Sequence, residues 1–115
     1  MNKRIRKKYL KKHGLYVNPR ETWSLDVTIA KFIVPRLKLY KKLNNGYPGR
    51  DEMDTPEKWN EALDKMIKSF ELSAKNYDGA YGLDMEQYLE KKVEIREAIN
   101  EGLQLFAKWY EWLGW

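Results

Sequence analysis

The chain has no cysteine and a single histidine, His13. The first absence removes disulfide frameworks, cysteine-based zinc sites and thiol catalysis together, and a reducing cytoplasm is its natural setting. The second leaves no Ser/His/Asp arrangement for nucleophilic attack, and the one imidazole lies in a basic segment that repels cations. There is no G-x-x-x-x-G-K-[ST] or G-x-G-x-x-G loop to cradle a phosphate. No apolar run approaches the ~20 residues that span a bilayer, and the charged start of the chain is not followed by an apolar segment. Neither a signal peptide nor a membrane anchor is therefore expected. Strand-like alternation and internal repeats are missing as well.

Acid is missing locally. Residues 1–20 hold eight bases (Lys3, Arg4, Arg6, Lys7, Lys8, Lys11, Lys12 and Arg20) and no Asp or Glu, whereas the rest holds 14 bases against 17 acids. The net charge of +5 thus belongs to the leader. Such asymmetry points to an anionic partner for the arm, or to an arm docked on the acidic body. Lys3–His13 reads as a short helix with Ile5, Tyr9 and Leu10 as its apolar contacts, stopped by Gly14. Residues 15–20 read as extended, because Asn18 before Pro19 is biased away from helix. Nucleic-acid contact through Lys3, Arg4, Arg6, Lys7, Lys8, Lys11 and Lys12 is one alternative function, although no nucleic-acid-binding fold motif accompanies the charge. The chain divides into an arm, 1–20, and a helical domain, 21–115, long enough for one modest core.

What is present is helical periodicity. Over Thr22–Lys42, Leu25, Ile29, Phe32, Ile33, Leu37 and Tyr40 share an arc, and Lys31, Lys38, Lys41 and Lys42 share the other. Ser24 stands at the N-cap position, with Asp26 in the first turn and Pro35 inside, where a bend is expected. Arg36 falls near the centre of the apolar arc and Asp26 at its edge. A charge carried inward needs a partner. Arg36 must therefore meet an acid on another helix, face a ligand, or turn outward after Pro35.

Thr55-Pro56 starts the next helix. There Trp59, Ala62, Leu63, Met66, Ile67, Phe70 and Ala74 repeat at steps of three and four, the pattern of a core face. In the loop 76–83, Tyr77 and Tyr81 either lap over the core or line a ligand mouth. Asp84 with Gln87 forms a capping box that opens a last helix, Met85 to Trp112. Its arc holds Tyr88, Leu89, Val93, Ile99, Leu103, Phe106, Ala107 and Tyr110, but also Lys92, Arg96 and Asn100, with Gly102 at the edge for a close helix contact. Trp109, Trp112 and Trp115 cannot all point one way, so indole surface is expected to serve a homo-oligomer. The expected fold is all-α: an antiparallel bundle of three main helices with a basic N-terminal helical arm.

The chemistry these residues permit is narrow. Glu94-x-x-Glu97 and Glu61-x-x-Asp64 match carboxylate pairs that hold magnesium in helical nucleotide pyrophosphohydrolases, but they project from polar faces and read as solvated. Asp26 alone would have to serve as general acid and base. No catalytic residue, metal ligand or cofactor is expected. Anion capture is better supported. Arg36, Lys92 and Arg96 share inward arcs with Asn100, while Tyr40, Tyr88 and Trp59 offer ring faces to a base. Asp26 is the clearest inward acid, with Glu71 and Asp64 at arc edges.

The run Trp23–Tyr40, W-S-L-D-V-T-I-A-K-F-I-V-P-R-L-K-L-Y, then Gly46-Tyr47-Pro48, then Trp59–Glu71 resembles a group of small phage proteins. In these a basic leader precedes a W-x-L-D…A-x-x-I-x-P-R-L helix. The resemblance covers about the first two thirds of the chain, and Tyr77–Trp115 has no counterpart in it. It implies an accessory phage protein; the host cytoplasm is the expected location. Phage proteins of this size often neutralise a host component, some by sequestering nucleotide-derived immune signals and others by blocking an enzyme or nuclease. The leading expectation is an anti-defence protein that captures a nucleotide-like anionic small molecule. A protein-binding inhibitor and a nucleic-acid binder are the alternatives.

Overall fold

A computed structural model describes residues 2–114. In it the chain is all-α among the described residues. Helix α1 spans Lys3–Lys12, α2 Leu25–Leu43, α3 Pro56–Ala74 and α4 Met85–Trp109, with short 3-10 turns at Pro19–Thr22 and Tyr110–Leu113. Helix starts follow side-chain chemistry. Asn2 caps α1, Thr55 accepts the Lys58 amide at the head of α3 with Pro56 behind it, and Asp84 and Gln87 close the capping box of α4. Ser24 does stand at the N-cap of α2, but in a left-handed conformation with no side-chain bond to the helix. Gly14, at φ +69°, ends α1 as a left-handed stop. Residues 15–20 are only partly extended, since Pro19 opens a 3-10 turn capped by Asn18. That turn lies against the start of α2.

The core is built on α3. Trp59, Ala62, Leu63, Met66, Ile67, Ser69 and Phe70 are all buried. On one side α2 contributes Val27, Ala30 and Leu37; on the other α4 contributes Ile95, Ile99, Gly102 and Trp109. Helix α3 packs on both neighbours, while α2 and α4 make no close backbone approach to each other. The three helices therefore lie side by side as a layer about 20 Å thick with α3 in the middle, and do not close into a triangular bundle.

Two contacts fix the layer. At the α3–α4 crossing, a Cβ on Gly102 would fall 2.2 Å from the Ser69 Cβ and 2.5 Å from the Lys65 carbonyl oxygen, so only glycine allows this approach. There the Ser69 hydroxyl donates to the Ile99 carbonyl at 2.7 Å. At the chain's end Trp109 packs edge-on to Trp59, with centroids 6.3 Å apart, and the Tyr40 hydroxyl donates to the Trp112 carbonyl at 3.2 Å. Trp109 is thus a core residue and unavailable to an oligomer interface. Trp112 is partly exposed beneath Arg50, and Trp115 lies outside the described residues.

Candidate functional site

The cationic residues that periodicity placed on inward arcs are exposed: Arg36, Lys92, Arg96 and Asn100 all face solvent, as does Asp26. Periodicity was right that they share a stripe with apolar side chains. That stripe, however, is not the one that packs on α3. Arg36 has no ion pair with Asp26 or with any other acid among the described residues. Its guanidinium donates back to the Phe32 carbonyl at 2.7 Å and lies 3.7 Å from the centroid of the Phe32 ring. Glu71 and Asp64 do not neutralise the cations of these stripes either, since they pair with Lys38 and Lys41. Glu61, Asp64, Glu94 and Glu97 are exposed, and no metal-holding group of acids gathers among the described residues.

Part of the expected constellation does come together. Tyr88, Lys92 and Arg96 follow one another at steps of four along α4, about 6 Å per step. With Tyr81, Val93 and Glu97 they line a cleft of about 270 Å³. The Tyr81 and Tyr88 rings stack there, 26° from parallel with centroids 6.3 Å apart. The loop before α4 makes this stack. The Asp78 carboxylate accepts the Ala80 amide at 2.9 Å and the Ala80 carbonyl accepts the Leu83 amide at 3.0 Å. Between them Tyr81 is held at φ +56°, a left-handed conformation that a bulky residue rarely adopts. Neither Lys92 nor Arg96 has an ion-pair partner among the described residues.

Four expected members are left out. Arg36 and Asp26 sit on α2, across α3 from the cleft, and Asn100 lies one turn past Arg96, beyond its lining. Tyr40 belongs to a different, smaller cleft of about 210 Å³ with Tyr47, Trp59 and Trp112. Burial there raises its phenol above the ordinary 10.0, and the neighbouring Trp59 side chain opposes the rise. Two further residues line the cleft: Tyr81, for which the sequence leaves both a core role and a ligand-mouth role open, completes the stack, and Glu97 adds a carboxylate to the rim. Glu97 reads from the sequence as part of the solvated opposite face, and only the loop geometry brings Tyr81 over Tyr88.

No family model matches the chain, and no curated protein or solved structure is significantly similar to it.

Proposed function

We propose that the protein is a non-enzymatic binding protein that captures a phosphate-bearing aromatic small molecule, nucleotide-like in chemistry, in the cleft of Tyr81, Tyr88, Lys92 and Arg96. One observation carries the reading: two cations without ionic partners among the described residues stand one turn apart beside a stacked tyrosine pair whose loop is held in a strained conformation. The guanidinium fork and the ammonium suit phosphate oxygens, the phenol faces suit a base, and Glu97 at the rim suits a ribose hydroxyl or an exocyclic amine. Sequestration of a nucleotide-derived host immune signal by an accessory phage protein is the role that joins this cleft to the phage-protein resemblance.

Thermal-shift screening of the whole chain against nucleotides and cyclic dinucleotides tests the reading. Ligand at roughly one hundred times its Kd stabilises a folded protein by about 2.7 kcal/mol, a clear shift in melting temperature. Arg96→Ala and Tyr88→Ala should each weaken binding roughly tenfold or more, the loss of one charge-assisted hydrogen bond or one stacked ring. Arg36→Ala, on the far side of α3, should leave affinity unchanged. A folded protein that shifts with none of these ligands overturns the reading.

The basic arm supports a second reading. Helix α1 touches no other helix, and all of its bases are exposed. An RNA or DNA backbone would meet them without any rearrangement of the body.

A further inference from the structure

The apolar residues of α2 fall on two stripes. Val27, Ala30 and Leu37 are buried against the core. The second stripe runs Leu25, Ile29, Phe32, Arg36, Leu39 and Leu43, at steps of four, three, four, three and four. That is the 3.5-residue spacing of a coiled-coil seam. Its five apolar members are each at least half exposed. A row of this length left to solvent is unusual in a monomer.

We propose that this seam is the contact between two copies of the chain, docked antiparallel about Val34. Full overlap places Leu25 against Leu43 of the second copy, Ile29 against Leu39, and Phe32 against Arg36. The self-complementarity is chemical as well as geometric. A parallel pair would stack Arg36 on Arg36 inside an apolar seam, two like charges drawn out of water with no counter-charge. The antiparallel pair lays each guanidinium on a phenyl ring, the contact that Arg36 already makes with Phe32 in its own chain. It also brings the Asp26 end of one helix to the Lys42 end of the other, which matches charge and opposes the two helix dipoles.

The area balance points the same way. The chain exposes 8929 Å², whereas a compact monomer of 13.8 kDa exposes roughly 6,600 Å². Its radius of gyration is 17.8 Å, against about 13 Å for a compact domain of this length. The detached α1 accounts for part of the excess, and the open faces of the layer for the rest. Covering the seam on both copies removes on the order of 1,000 Å², the least that a specific interface buries. The inference does not depend on the ligand cleft, which lies on α4.

The absence of cysteine makes the register directly readable. Residues 29 and 39 of one helix stand about 15 Å apart, out of disulfide reach, so a bond between thiols placed there must join two chains. Under mild oxidation, the double variant Ile29→Cys with Leu39→Cys in the full-length protein should run as a covalent dimer on a non-reducing gel. Ile29→Cys alone should stay monomeric. Light scattering should give twice the chain mass for the unmodified protein at about 100 µM and a single chain mass for Leu39→Glu, with helical circular dichroism intact because Leu39 is exposed. Leu89→Glu, on α4, should remain dimeric. A single chain mass for the unmodified protein, a dimer that survives Leu39→Glu, or cross-linking of Ile29→Cys alone as efficient as that of the double variant overturns the proposal.

Discussion

Gly102 shows how one missing side chain sets the distance between two helices. Its position at the edge of an apolar arc suggested a close approach, and the structure puts Ser69 and the Lys65 carbonyl in the space a methyl group would need. Because the nearest obstacles include backbone, Gly102→Ala must push α3 and α4 apart and stretch the bond from Ser69 to Ile99. We expect a loss of about 1–3 kcal/mol, the usual cost of overpacking, despite alanine's better helix propensity. Urea denaturation of the purified variant measures it; an unchanged or improved midpoint would mean that the crossing has slack. Ligand-cleft residues were harder to read at this scale. Lys92 and Arg96 were identifiable from their place on the helix, whereas Tyr81 was named only as one of two alternatives, because its position depends on a left-handed turn that follows from the whole loop and not from one residue type.

At the scale of elements, α3 was legible in full and its neighbours only in part. A helix with partners on two sides buries one broad stripe, so Trp59, Ala62, Leu63, Met66, Ile67 and Phe70 announce themselves. Helices α2 and α4 each carry two apolar stripes, and periodicity does not say which of the two meets α3. Arg36, Arg96 and Asn100 seemed inward for that reason. Ion pairs, some local and some between elements, and one half-buried phenol give the fold a pH dependence. The hydrogen bond from Lys108 holds the Glu52 carboxyl below its ordinary 4.5, and that from Lys58 holds Asp54 below 3.8. A carboxyl depressed in the folded state stabilises above its ordinary value and loses that contribution as pH falls through the folded value. On the alkaline side Lys58 and Lys65 are raised by Asp54 and Glu101, and Tyr40 by burial. Groups raised in the folded state contribute fully below their ordinary values and lose that contribution as pH climbs through the folded ones. Melting temperature should therefore be flat around neutrality, fall below about pH 4 and fall again above about pH 10. Glu52→Gln should soften the acid limb, and an acid limb identical to that of the unmodified protein would remove Glu52 from the account. Helix α1 makes its own prediction. If its bases meet a nucleic-acid backbone, log K against log salt should be steep, close to −0.9 per phosphate contacted on duplex DNA, and deleting residues 1–14 should abolish it.

At the scale of the molecule, the all-α bundle of three main helices was legible, and which face of each outer helix meets α3 was not. Helix count, capping and turns are local properties, and they are written in Thr55-Pro56, in the Asp84 capping box and in Gly14. Whether three helices close on one another or lie flat depends on which stripe of α2 and α4 is used, and that choice is made between chain segments far apart in sequence. A flat layer has little redundancy. Its α3 face is covered at one end by Trp109, which stacks edge-on to Trp59, and the neighbouring Trp112 carbonyl holds the Tyr40 hydroxyl of α2. The end of the chain thus ties all three helices together, although the sequence suggested that its tryptophans served a partner. The two described indoles should consequently differ in weight. Trp109→Ala empties a fully enclosed site in a layer with little further packing to relax into it, and should cost about 3–5 kcal/mol, a large share of the roughly 5–15 kcal/mol that keeps an ordinary domain folded. Trp112→Ala keeps the backbone carbonyl that Tyr40 uses and removes a ring that is already partly in water, so it should cost far less. Urea midpoints of the two variants compare them directly. Equal losses would mean that the end of the chain packs as a unit and not through Trp109.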